Sequence, residues 1–314
     1  MPKFPPIPRL SILVPVGRDV AAFESTLISV LENQSSDCEV LVCHDGKYDD
    51  PFDLCDEVRF VVAESAQLVS LIAAGASQAR GRFVHVLAAG VQATNGWTDE
   101  ALEKFEHFDC GSVAPVIRQA DSDRIVSAGW FDGVDRLCKN AGDGLPEVEG
   151  IRAKKIGAHL QASFWRRELL RSMSDAFTSR QSVESSYAYE HLAREAGWRC
   201  VLADQSVVRI SSDRLPWDQS SSGRGMRLQA IRNEFSRRQG WGASLTQAAW
   251  AGAASLLRPG QLAEAMGRGF APLASAKIAT QLHPDQVALC DDHEMIVSMP
   301  RREMPIQSQA RRAA

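Results

Sequence analysis

Apolar residues fall in short unbroken runs, and between the runs they recur at helical spacing. Residues 10–16 (LSILVPV) are apolar almost throughout, the pattern of a strand buried on both faces. Pro15 and Gly17 close that run and turn the chain. Residues 20–33 then place Phe23, Leu27, Val30 and Leu31 on one helical face, and 38–43 form a second apolar run ending at His44-Asp45-Gly46. Strand, helix and strand in this order predict a βαβ unit. The alternation continues through a strand at 58–62, a helix at 66–79 and a strand at 82–88. It predicts an α/β protein with a doubly wound, mostly parallel sheet, whose ligands sit beyond the carboxyl ends of the strands. Residues 15–18, 44–47 and 88–91 all fall there, so Pro15, Asp45 and Ala88 are expected to line one crevice.

The second half is less regular. It predicts a helix at 99–107, a strand at 112–117, a hairpin around 121–132, helices at 166–173 and 183–196, and a strand pair within 199–210. Residues 139–157 hold Gly142, Gly144, Gly150 and Gly157 and read as a flap, while 211–225 (SSDRLPWDQSSSGRG) reads as a linker or active-site loop. Beyond it come helices at 226–238, 244–257, 261–266 and 273–282, then one short strand at 295–298. The expected organisation is a Pro-rich arm (1–9), an α/β domain (10–211, with halves 10–97 and 98–211), a linker (212–225), a helical extension (226–300) and a disordered basic tail (301–314). There is no internal repeat.

Composition narrows the partners. With 314 residues, 45% hydrophobic and 24% charged, the chain can bury a full core. A net charge of -4 argues against coating nucleic acid. Seven scattered cysteines without Cys-x-x-Cys spacing fit reduced thiols in the cytoplasm. Neither a signal peptide nor a membrane-spanning run is expected, so any membrane contact would be peripheral.

Short words recur in a telling order. Pro15 after the first strand, Asn33-Gln34, Asp45-Gly46, Ala79-Arg80-Gly81-Arg82, an apolar strand and Gly96-Trp97 follow one another. Further on come Arg166-Arg167-Glu168-Leu169, Asp175-Ala176-Phe177 and Ala193-Arg194-Glu195-Ala196-Gly197-Trp198-Arg199. Over 10–210 this order resembles a family 2 glycosyltransferase of the GT-A fold. The resemblance implies a nucleotide-diphosphate-sugar donor and a glycan or other acceptor. It puts nucleotide contacts at Pro15, Val16, Gly17, Arg18, His44, Asp45, Gly46, Ala88, Ala89 and Gly90.

The acidic chemistry of that family is missing. Where its members end a strand in Asp-x-Asp to hold a divalent metal, this chain has Val86-Leu87-Ala88-Ala89-Gly90, with Ala88 and Gly90 at the acidic positions. Mg²⁺ is held by carboxylates and phosphate oxygens, so no divalent metal is expected at this position. An Asp-Asp-Gly word becomes His44-Asp45-Gly46. Asp45 reads equally as a nucleotide contact or a turn cap, and His44 as a turn residue or a base-stacking one. The acidic pair expected to supply a general base becomes Ser185-Ser186, leaving Glu184 one residue away as a weak candidate base or a helix-terminal carboxylate. A metal-binding histidine after the last strand becomes Arg209, which could pair with a diphosphate or stand on the surface beside Asp204 or Asp213.

Other polar clusters read as solvated charge: His283 with Asp291-Asp292-His293-Glu294, Arg166-Arg167 and Lys154-Lys155. Gly223 to Gly225 lacks the strand that a phosphate fingerprint needs. Two functions remain: a metal-independent sugar transferase, or a catalytically inactive relative that binds a nucleotide, glycan or protein as a scaffold.

Overall fold

The computed structural model describes residues 7–151, 155–236, 241–254 and 259–290. The cluster 291–294, the strand at 295–298, the tail 301–314, Lys154 and most of the Pro-rich arm lie outside them.

The first half runs β1 (Leu10–Pro15), α1 (Val20–Asn33), β2 (Cys38–His44), β3 (Arg59–Val62), α2 (Leu68–Gln78), β4 (Phe83–Leu87), β5 (Val91–Ala93) and α3 (Asp99–Lys104). There follow β6 (Cys110–Gln119), β7 (Ile125–Ser127), the short strands β8 (Trp130–Phe131) and β9 (Lys139–Asn140), and β10 (Ala162–Arg166). The rest is α4 (Arg167–Ala176), α5 (Ser182–Glu195), β11 (Arg199–Ile210), α6 (Ser222–Glu234), α7 (Trp241–Ala254), α8 (Pro259–Gly269) and α9 (Pro272–Ala279).

The main sheet has the order β3-β2-β1-β4-β10-β6-β11-β5, with β7 on β6. β1, β2, β3, β4, β6 and β11 run one way; β5, β7 and β10 run the other. The α/β class with a mostly parallel, helix-covered sheet is therefore the observed one. Every residue of β1, β2 and β4 is buried, as mainly apolar strands covered on both faces require, and Ser11, Glu39, His44 and His85 are buried with the rest. One core lies against each face of the sheet, around Leu13, Leu41 and Trp165 on one side and Ile12, Val40 and Phe164 on the other.

The word Ala79-Arg80-Gly81-Arg82 proves to be a latch. Glu39, fully buried in β2, accepts from the Arg80 backbone at 2.7 Å, from Arg80 Nε at 2.9 Å, from Arg59 at 2.7 Å and from Ser11 Oγ at 2.6 Å. These bonds hold its carboxyl below the usual range although burial opposes them. A Cβ on Gly81 would stand 2.6 Å from the Ser11 nitrogen, so the chain can pass there only as glycine.

Three expectations change. β10, unforeseen, enters the sheet antiparallel between β4 and β6, and β5 is a second unforeseen strand. The strand pair within 199–210 is the single strand β11, with irregular register between Ala203 and Val207. α6 begins at Ser222, because the Ser221 hydroxyl caps it by accepting from the Arg224 nitrogen, so the helical extension starts inside the stretch read as a linker.

Candidate functional site

A cavity of about 540 Å³ opens where the β1 and β4 ends meet. It is lined by Pro15, Val16, Gly17 and Arg18 after β1, by Ala88 and Ala89 after β4, by Ala66, Leu68 and Leu71 at the start of α2, and by Gln161, Ser182, Pro216 and Trp217. The loop after β1 lies directly on the β4 turn, since a Cβ on Gly17 would be 3.2 Å from the Ala89 Cβ. That turn is held from both sides. Ala88 donates its N–H to the Gln161 carbonyl at 2.8 Å, and Gly90 donates to Thr26 Oγ1 of α1 at 2.9 Å. Gly90 has φ +87°, a left-handed conformation that suits glycine, while the space around its missing Cβ is open.

Charge at the cavity is sparse. Arg18 is exposed and makes no hydrogen bond or ion pair among the described residues. None of the described lining residues is a carboxylate. Polar capacity comes from Gln161, which is buried and donates its amide to Ser182 Oγ, while its Oε1 has no partner among the described residues. Trp217 Nε1 is likewise an unpartnered donor. Behind Trp217, at 6.3 Å between ring centroids, stands His159, with Nε2 3.0 Å from Asn140 Oδ1. Burial pushes the His159 imidazole down to about 4, which keeps it neutral.

The structure gathers some of the expected residues and separates others. Pro15, Val16, Gly17, Arg18, Ala88 and Ala89 come together in the cavity, with Gly90 at its turn. His44, Asp45 and Gly46 occupy the same sheet edge without lining it. His44 accepts the Gly46 N–H at 3.2 Å and packs edge-on against Tyr48 and Phe60. Asp45 pairs with Lys47 at 2.9 Å, and that hydrogen bond holds its carboxyl below the usual range. Arg209 is bound to Asp123 at 2.8 Å and to the Ala120 carbonyl, in the β6–β7 turn, instead of beside Asp204 or Asp213.

Glu184, in the first turn of α5, is buried and already committed: Ser179 Oγ donates to it at 2.7 Å and Arg227 Nε pairs with it. Ser186 Oγ accepts the Leu160 N–H at 2.9 Å and donates to the Ser182 carbonyl, so it fastens the entry to β10. Ser185 Oγ is buried without a partner among the described residues.

The family resemblance implies a divalent metal at the β4 turn, and the residues present do not fit one. Ala88 and Gly90 offer no side-chain oxygen, and among the described residues no three His, Cys, Asp or Glu side chains converge as a metal site. The residues that sequence reading missed are Gln161, Ser182, Trp217 and the α2 pair Leu68 and Leu71. Only Trp217 had a signal, its place in the Ser/Gly/Pro-rich loop.

No family model matches the chain, and no curated protein does. Solved structures with a similar chain path include three that were determined with nucleotides or a sugar nucleotide. GalNAc-T7, solved with UDP, GalNAc and Mn²⁺, overlaps at 14% identity and a TM-score of 0.49 over 72% of this chain and 48% of its own. A mannosyltransferase of Pyrobaculum calidifontis, solved with GDP-Man and Mn²⁺, overlaps at 14% identity and 0.49 over 91% of this chain and 84% of its own. TarS of S. aureus, solved with UDP, overlaps at 12% identity and 0.47 over 78% of this chain and 70% of its own. This chain thus spans less than half the length of GalNAc-T7. Among the described residues no helix is long and apolar enough to cross a membrane.

Proposed function

We propose that the crevice binds the nucleoside diphosphate of a sugar nucleotide without a carboxylate-held metal ion, and that the protein is a catalytically inactive relative of the GT-A glycosyltransferases. One observation carries the reading. Among the described residues the cavity presents one uncommitted cation, Arg18, and no carboxylate, while the two acids singled out by the sequence, Asp45 and Glu184, are paired with Lys47 and Arg227. A guanidinium can fork onto phosphate oxygens and replace part of a metal's neutralising charge. A general base must reach an acceptor hydroxyl with a free oxygen, and Glu184 has spent its own on Ser179 and Arg227. Gln161 Oε1 and Trp217 Nε1 supply the acceptor and donor that such a ligand would meet beside the phosphates. A cytoplasmic setting is part of this reading, and Cys38, Cys43, Cys55, Cys110, Cys138 and Cys200 are free thiols.

Calorimetric titration with UDP, GDP and their sugar conjugates, with Mn²⁺ and with EDTA, tests it. Binding should be indifferent to chelation and should weaken about tenfold, roughly 1.4 kcal/mol, on Arg18→Ala while Arg209→Ala leaves it unchanged. A tenfold loss on chelation would point to ligands outside the described residues. Robust sugar transfer or hydrolysis would replace the inactive reading with a metal-independent transferase.

A further inference from the structure

Helix α5 carries a row of side chains, one per turn, each holding a successive point of the segment that leads into β10. Ser182 Oγ accepts from the Gln161 amide, and Ser186 Oγ accepts the Leu160 N–H at 2.9 Å. Glu190 Oε1 accepts the Ala158 N–H at 3.0 Å, and Arg194 donates to the Ile156 carbonyl at 2.7 Å. Residues four apart share one helix face, so 182, 186, 190 and 194 form a ladder down which 161 to 156 run. The fit is close. A Cβ on Gly157 would overlap the Trp130 ring and stand 2.9 Å from Glu190 Cγ. At the other end Gln161 lines the cavity, and its carbonyl accepts the Ala88 N–H of the β4 turn at 2.8 Å. The ladder therefore reaches the cavity wall through one residue.

The two serines are neutral and the arginine is charged at every working pH, so Glu190 is the rung that titrates. It is fully buried. Oε1 accepts from Ser112 Oγ at 2.7 Å as well as from Ala158, while Oε2 has no hydrogen-bond partner among the described residues. An ionised carboxylate would leave charge on that bare oxygen, whereas a neutral carboxyl keeps a carbonyl oxygen for both bonds. The titratable and charged groups facing it are Arg194 on α5, Cys200 on β11 and Cys110 on β6. Burial pushes both thiols up and keeps them neutral. Arg194 favours the charged form, but its guanidinium is turned to the Ile156 carbonyl and the Trp130 face. Burial outweighs Arg194, the Ala158 N–H, Ser112 and Cys200, and raises the Glu190 carboxyl above its ordinary value.

We propose that this ladder is a strap positioning the cavity wall at Gln161, and that Glu190 holds its rung as a neutral carboxyl whose ionisation slackens the strap. The strap acts on the wall whatever the cavity binds.

Amide hydrogen exchange of the full-length protein tests it, read as protection factors so that the intrinsic pH dependence of exchange drops out. The opened segment titrates at the ordinary carboxyl value of 4.5, and the closed one higher. Opening of 156–161 should therefore become about tenfold easier per pH unit above 4.5, and level off once Glu190 ionises in the closed form. Glu190→Gln keeps an acceptor for Ser112 and Ala158 and cannot ionise, so its protection should not change with pH. Ser186→Ala, which removes a neutral rung, should lower protection of the same segment and keep the wild-type slope. A slope that survives in Glu190→Gln, or a loss of protection shared equally by β1 and β2, would overturn the proposal. So would a flat wild-type profile, which is read without any variant.

Discussion

Two regions of this protein handle charge in opposite ways. At the crevice, the turn that the family resemblance would furnish with two aspartates is Ala88-Ala89-Gly90, and the one cation, Arg18, is left to solvent. At the joint between α6 and α8, Arg136, Asp218, Arg224 and Glu264 are all largely shut from water and paired with one another. The joint is also close-packed. A Cβ on Gly225 would overlap the Glu264 carbonyl, and one on Gly267 the Ser222 carbonyl, so the helix backbones touch there. The chain thus keeps expensive buried charge where it fixes one helix against another, and holds none among the described residues lining the cavity at the β1 and β4 ends. Ionic groups here are an assembly device. Burying such a network is costly unless every member is matched, and here the matching is nearly complete.

The comparison can be broken most forcefully at Glu264. Glu264→Ala leaves two buried guanidinium groups, Arg224 and Arg136, to share the single carboxylate of Asp218 and should lower unfolding free energy by about 3 kcal/mol in a denaturant titration. Asp45→Ala at the crevice edge should leave the midpoint where it was, since Lys47 is mostly in water. Equal effects at the two sites would erase the contrast.

A smaller effect joins the two regions through His159, which touches Trp217 on one side and Asn140 on the other. Its folded-state pKa is pushed down by burial from 6.5 to about 4; Asp218 opposes the shift, and Arg224 and Arg136 add to it. His191, also buried, falls to about 4. Both groups charge more readily once unfolded, so their stability is fully present above pH 6.5 and is lost as pH falls toward 4. Each can contribute up to about 1.4 kcal/mol per pH unit across that window. His159→Gln should flatten the slope of unfolding free energy against pH; an unchanged slope would show that His159 does not titrate as its burial requires.

The smallest effect sharpens the crevice side. Ala88→Asp with Gly90→Asp returns two carboxylates to a turn whose outer space is open. It should make nucleotide binding about tenfold dependent on Mn²⁺, near 1.4 kcal/mol, with some cost from placing aspartate at φ +87°. Binding that stays indifferent to metal would mean that the crevice differs from a metal site by more than two side chains.

Legibility followed the range of the interactions. The apolar runs of β1, β2 and β4 were plain, because a strand buried on both faces writes its whole environment into consecutive residues. The residues of their end loops, Pro15 to Arg18 and Ala88 to Ala89, were found for the same reason. β10 was not, since only its last residue, Arg166, fell within an expected element, the helix at 166–173, and its place between β4 and β6 comes from pairing across the chain. Gln161 and Ser182 remained hidden with it.

Residue identity alone determined the α/β class, the sheet edge at which the cavity opens and the absence of acids at Ala88, Gly90, Ser185 and Ser186. All of these depend on local pattern or composition, which the linear chain carries in full. Tertiary structure decided which charges are spent and which are free. Glu184 could be a base or a brace until Arg227, 43 residues away, closed on it, and Arg209 could face a diphosphate until Asp123 took it. The inward turn of Glu264 and Arg268 was also set in three dimensions. A charge's role depends on its partner's position, and that position is fixed only when the chain has folded.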